Sequence, residues 1–228
     1  MQNLEVIQEN KGYIVVNKAA GLISERSPYE DNTVEDQVYA HLLQSNRKPF
    51  LGVIHRLDRV TSGVLIFAKK KSILIEFNEL FSSRKIQKTY LAIVKNKPRK
   101  DREDLVNFLM KNTKEKRAVI VKSKSSVSQE CRLSYEVLGQ NEFGYLLEVK
   151  PKTGRFHQIR AQLAHIGIPV IGDEKYGSDQ EYLPLSIGLH AWKISYKRDD
   201  QQESYQALLP KHKYWDFGAR IKDKDVKY

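Results

Sequence analysis

The sequence predicts an α+β domain, on three observations. Short runs of apolar and β-branched residues, bounded by Gly, Asn and Pro, alternate with only a few segments of helical periodicity. One run, residues 64–68 (VLIFA), is continuously apolar and suits a strand buried on both faces. With 228 residues, 40% of them hydrophobic, the chain has material for one sizeable core. A single domain over 1–228 is expected.

The elements follow in order. Residues 4–7 and 13–17 read as two strands joined by a turn at Asn10-Lys11-Gly12. After a polar loop at 24–32, Thr33 is placed to cap a helix from Val34, with Glu35 and Asp36 at its N-terminal dipole and Val34, Val38 and Leu42 as its inner stripe. The central stretch, residues 51–71 (LGVIHRLDRVTSGVLIFAKKK), sets Asp58 between two apolar runs, with Thr61-Ser62-Gly63 as turn chemistry. That puts a carboxylate on a loop braced by strands, beside His55, Arg56 and Arg59. Ser72 is placed to cap a second helix, whose face is Ile73, Phe77, Leu80 and Phe81, closed by Arg84 and Lys85. Residues 88–94 alternate as a strand, Tyr90, Ala92 and Val94 on one face, Leu91 and Ile93 on the other.

Residues 95–126 are rich in Lys and Arg, read either as a basic hairpin arm or as a solvated loop. Strand-like runs follow at 131–137 and 145–149. A helix is expected from Phe156, with Ile159 and Leu163 inward and Gly167 stopping it. Residues 189–196 and 204–208 read as late strands, and about 211–228 as a charged tail.

Composition narrows the partner. The net charge of +11 and pI near 9.5 favour a polyanion, nucleic acid ahead of an anionic membrane surface. No apolar run approaches the roughly 20 residues of a spanning helix, and no secretory signal is visible at the start. Cys131 is the only cysteine, so an internal disulfide is impossible and a structural thiol in a cytoplasmic protein is expected.

Four motifs then stand in order: His55-Arg56-Leu57-Asp58 with Thr61-Ser62-Gly63, Lys88-Thr89-Tyr90, the run TGRFHQIR from Thr153 to Arg160, and Gly172-Asp173 with Tyr176-Gly177. Together they resemble the HRLD-x-x-TSG, K-x-Y, TGR-x-HQIR and GD-x-x-YG signatures of the RluA family of pseudouridine synthases. Residues 15–22 resemble that family's entry strand and NKPAG segment, with Ala19 in place of Pro, and Phe156 stands where a small polar residue is more usual. The resemblance implies a mixed, mainly antiparallel sheet flanked by helices, with a catalytic cleft crossing it. It implies isomerisation of uridine to pseudouridine in structured rRNA or tRNA, by breaking the uracil–ribose bond and rejoining the base through carbon. No cofactor and no metal are implied. There is no room for the S4 RNA-binding domain of many relatives, so RNA docking is expected from the catalytic domain, its basic arm and its tail, in a monomer.

By the same resemblance Asp58 is the essential catalytic residue, Arg155 the arginine paired with it, and Tyr90 the tyrosine against the target base, an aid to proton removal. Arg56 is the candidate wedge for the space a flipped base leaves. His55, Arg59, Lys88, His157, Gln158 and Arg160 complete the expected RNA contacts. The different-class alternative is a non-catalytic RNA-binding or RNA-folding protein on the same fold. HRLD and Asp216-Phe217-Gly218 echo kinase motifs, but no glycine-rich phosphate loop precedes them. The six histidines lack zinc spacing, and no second marked carboxylate suits a retaining glycosidase.

Overall fold

A computed structural model describes residues 4–218; residues 219–228 of the expected charged tail lie outside the described residues. The chain opens with the expected hairpin, β1 (Glu5–Glu9) and β2 (Tyr13–Lys18). Asn10 Oδ1 closes its turn by accepting from the backbone N–H groups of Gly12 (2.7 Å) and Tyr13 (2.9 Å). Helix α1 (Val34–Leu43) starts as expected: Thr33 and Asp36 form a reciprocal capping box, and Val34, Val38 and Leu42 are buried.

The central stretch contributes β3 (Gly52–Val53) and β4 (Ser62–Ala68), the latter buried at every residue. The turn is tighter than Thr61-Ser62-Gly63 suggests. It closes where Thr61 N–H donates to the Asp58 carbonyl (3.0 Å), and Ser62 and Gly63 already belong to β4. Helix α2 (Lys71–Ser82) begins one residue before the expected cap, so Ser72 lies inside the first turn and the extended Lys70 precedes it without a side-chain cap. Arg84 follows its end in the left-handed region, φ 58.

Next come β5 (Gln87–Val94), the hairpin β6 (Arg102–Asn112) and β7 (Arg117–Val121), and the long strands β8 (Ser128–Asn141) and β9 (Gly144–Pro151). The lysine-rich stretch is therefore built around a hairpin, joined to the sheet where β6 pairs with β8. Helix α3 (Gln158–His165) starts two residues later than expected, because His157 takes a left-handed conformation, φ 51. Strands β10 (Leu189–Arg198) and β11 (Gln201–Gln206) complete the sheet.

Eleven strands of the described residues form one sheet, in the order β1-β2-β4-β10-β5-β9-β8-β6-β7, with β11 on β10 and β3 on β4. Every pairing is antiparallel except β4 with β10, where Ser62 and Gly63 lie beside His190 and Ala191. β2 and β4 are sandwiched. Ile14, Val16, Leu65 and Phe67 pack under α1, while Val15, Val64 and Ile66 pack under α2 with Ile73 and Phe77. Further along, Ala92 and Val94 pack against Ile159 and Leu163 of α3, and Leu91 and Ile93 face Trp215. Tyr90 touches both the α1 core and the α3 core, so the cleft face lies between these helices.

Gly63 carries the parallel junction. It has φ +117, and a Cβ there would lie 2.2 Å from the Ala191 carbonyl oxygen. Gly63→Ala is expected to cost about 3 kcal/mol or more, from backbone strain plus a clash with backbone that cannot move aside. A urea midpoint equal to that of the unsubstituted protein would refute this.

Candidate active site

The loop from residue 54 to 61 carries Asp58, and contacts from Ser24, Lys18 and Gly21 set its path. Ser24 grips Leu57, its Oγ accepting from Leu57 N–H (3.0 Å) and donating to Leu57 O (2.9 Å). Lys18, 1% exposed, donates from Nζ to the carbonyls of Ala19 (2.9 Å) and Arg59 (3.1 Å). Gly21 N–H also donates to Arg59 O (2.8 Å). The backbone is thus tied on each side of Asp58. Burial pushes the Lys18 ammonium down to about 7, with Asp58 offsetting part of that and Arg59 adding to it.

The carboxylate of Asp58 meets α3. Arg160 Nη1 donates to Asp58 Oδ2 at 3.1 Å, and His157 Nε2 lies 3.6 Å from the same oxygen. Arg160 is itself held as a fork: Nε and Nη2 donate to Asp173 Oδ2 (2.6 Å) and Oδ1 (2.8 Å), and its guanidinium lies over the Tyr176 ring. Burial opposes the Arg160 charge, but Asp173 and Asp58 together hold its pKa above the ordinary value. Tyr176 ties the rest: its OH meets His157 Nδ1 (3.0 Å) and accepts from Ala118 N–H of the hairpin (2.7 Å).

Arg160, not Arg155, therefore forms the ion pair with Asp58. The αL turn at His157 starts α3 so that Arg160 is directed into the protein. Arg155 is half-buried, its Nε donating to the Glu130 carbonyl (3.4 Å). Gln158 and His55 line the same cleft and are also tied into the fold by hydrogen bonds. Gln158, 4% exposed, accepts at Oε1 from Thr153 Oγ1 (2.7 Å) and Arg155 N–H (3.1 Å), and donates to Arg132 O (3.0 Å). His55 Nε2 accepts from Ile66 N–H (3.2 Å), and its ring leans on Phe81. Arg160 also lines the cleft but is 5% exposed, so its guanidinium is committed to Asp173 and Asp58 rather than to RNA as expected.

The remaining expected residues line the cleft or lie beside it. Tyr90 forms a wall; burial first, and then Asp58, push its phenol above the ordinary value, so it is present as a hydroxyl. Lys88 lies over Gly154, where a Cβ would come 3.1 Å from Nζ, and burial lowers its pKa. Arg56 is exposed in the cleft lining and Arg59 is exposed next to Asp58 in sequence, paired with Glu25 and Glu30 of the polar loop respectively. The cleft these groups enclose has a volume of about 770 Å³ and is also lined by Phe156 and by Lys111 of the hairpin. Sequence reasoning missed Lys18, Asp173, Tyr176 and Lys111 as site groups. Asp173 and Tyr176 were legible only as parts of the fourth motif. Among the described residues, no group of three or more His, Cys, Asp or Glu is arranged to hold a metal ion, and no helix is long and apolar enough to cross a membrane.

Three histidines are kept neutral by burial: His157 down to about 4, and His55 and His190 down to about 3. Each lies below the unfolded value of 6.5, so their contribution to stability is present above that pH and is lost as pH falls toward 4 and 3. The urea midpoint is expected to be lower at about pH 5 than at about pH 7. Equal midpoints would contradict the burial of these rings.

Comparison with known proteins bears on this geometry. A family model described as RNA pseudouridylate synthase matches residues 12–165. A "tRNA pseudouridine synthase C" of Vibrio parahaemolyticus is 32% identical over 192 residues, covering 76% of this chain and 74% of that protein. An "Uncharacterized RNA pseudouridine synthase" of Haemophilus influenzae is 31% identical over 212 residues, covering 93% and 90%. A "Ribosomal large subunit pseudouridine synthase D" of Borreliella burgdorferi is 32% identical, covering 84% and 60%. Among solved structures, human RNA Pseudouridylate Synthase Domain Containing 4 superposes with a TM-score of 0.77 over 98% of this chain and 94% of that one, at 22% identity; this shows the fold.

Proposed function

We propose the following catalytic assignment for this chain, which belongs to the RNA pseudouridylate synthase family as a member of its RluA branch. The protein isomerises uridine to pseudouridine in RNA. In that reaction the N1–C1′ bond of uridine breaks, the base turns, C5 bonds to C1′, N1 gains a proton and the C5 proton leaves. Atoms balance within the nucleotide and solvent.

Asp58 supplies the carboxylate that opens this sequence. One observation carries the assignment: Arg160 and His157 both address Oδ2, which leaves Oδ1 to meet the nucleotide in the cleft. Arg160 is a positioning residue, fixing the carboxylate and favouring its charge. His157, neutral, props the same oxygen. Tyr90 faces the base as a hydroxyl, since burial disfavours the phenolate. Arg56, Arg59, Lys88 and Arg155 take phosphate and flanking bases, the first two exchanging Glu25 and Glu30 for phosphate. The substrate is rRNA or tRNA, in line with the names of the relatives. One catalytic domain, working as a monomer in the cytoplasm, suffices; the buried single thiol of Cys131 is consistent with a compartment that forms no disulfides.

The test is tritium release from uridine labelled at C5, in unmodified tRNA and rRNA separately, with Asp58→Asn as control. Release from one pool that the variant abolishes identifies that pool as substrate. Silence from both refutes the assignment.

A further inference from the structure

We propose that Phe156 and Lys111 form a stacking subsite for a nucleotide beside the target uridine, Phe156 carrying its base and Lys111 its phosphate. This rests on the reading of the cleft as the uridine-modifying site. Phe156 lies in that cleft and is 38% exposed, a large apolar ring among polar neighbours. Its ring stacks on His157 with centroids 3.8 Å apart and planes 20° from parallel. His157 in turn touches Asp58, so Phe156 is one ring removed from the reacting carboxylate. His157 backs the ring, and the Lys111 ammonium lies over it, 5.0 Å from the ring centroid.

The lysine is brought there by construction. Lys111 is on β6 directly opposite Ala118 of β7. Ala118 N–H donates to Tyr176 OH, and Tyr176 OH contacts His157 Nδ1. Leu109, Ala118 and Cys131 pack with Ala161 of α3 beneath. The hairpin edge and the stacked rings are therefore fixed relative to each other.

The chemistry selects a nucleotide. A uridine must leave its stack to be rearranged, which strips a face from its neighbours. A rigidly backed phenyl offers a replacement face to any base, and the flexible Lys111 ammonium beside it matches the adjoining phosphate. An exposed cation–π contact is weak, so the resting ammonium is readily exchanged for a base while Lys111 swings to phosphate.

Three measurements decide it. On whichever unmodified RNA pool supports tritium release, Phe156→Ala is expected to raise KM on the order of tenfold with kcat nearly unchanged, and Phe156→Trp to restore it. Lys111→Ala should reduce the slope of log affinity against log salt by about one phosphate contact. An unchanged KM in Phe156→Ala overturns the proposal. So does a fall in kcat that Trp does not restore, since the ring would then only prop His157. The third measurement, like the second, needs no turnover. A short oligoribonucleotide with one uridine between adenines should bind the unsubstituted protein about tenfold tighter than the same strand with abasic sites flanking the uridine. Phe156→Ala should erase that difference, and a variant that keeps it overturns the subsite. Failure of the parent reading looks different: no tritium is released by the unsubstituted protein from either pool.

Discussion

Asp58→Asn is expected to lower pseudouridine formation by about 10⁴-fold or more, the scale seen when a nucleophile or its equivalent is removed. RNA affinity should be retained or slightly raised, because a negative charge leaves a basic cleft. The fold should tolerate the change. The side chain is 27% exposed, an asparagine oxygen can still accept from Arg160, and Arg160 keeps Asp173. Tritium release and filter binding on the same preparation separate the two effects. Turnover within about tenfold of the unsubstituted protein would remove Asp58 from the chemistry.

Arg160→Met should damage both stability and turnover. It strands Asp173, 1% exposed, without its bidentate partner, and breaking a buried pair from one side costs about 3–5 kcal/mol. For a chain of this size that is a fall in Tm of roughly 6–20 °C. Turnover should fall with it, because Asp58 loses its anchor. Arg160→Lys keeps the charge but not the fork that reaches Asp173 and Asp58 at once, and should rescue only in part. Arg155→Ala is the contrast: stability within about 0.5 kcal/mol, with weakened RNA binding. If Arg155→Ala instead abolished turnover while Arg160→Met melted like the unsubstituted protein, the two roles would have to be exchanged.

The exchange between these two arginines marks where sequence reasoning ends. Helix α1, β4 and the two faces of β5 were legible because periodicity and a helix cap are local. Thr33 directly precedes the residues it caps, and the apolar run of β4 needs no partner to be recognised as buried. Arg160, Gln158 and Lys18 were not legible. Polar residues are mostly exposed, and only a tertiary partner shows which have gone inside. For Arg160 that partner is Asp173, reached because His157 adopts φ 51. For Gln158 it is Thr153 and the Arg132 carbonyl, for Lys18 the Arg59 carbonyl. The motif marked the segment; the backbone turn within it decided which arginine faces the carboxylate.

The parallel junction of β4 with β10 has a consequence for the order of synthesis. It joins Gly63 to Ala191, about 130 residues apart, inside the sheet. A ribosome releases the HRLD segment long before α3, Asp173 and β10 leave the exit tunnel. Closing so distant a pair is a slow step, because most of the chain must be ordered before the contact returns any energy. A nascent chain interrupted before β10 therefore bears the whole catalytic signature, yet lacks the strand that seats it in the sheet.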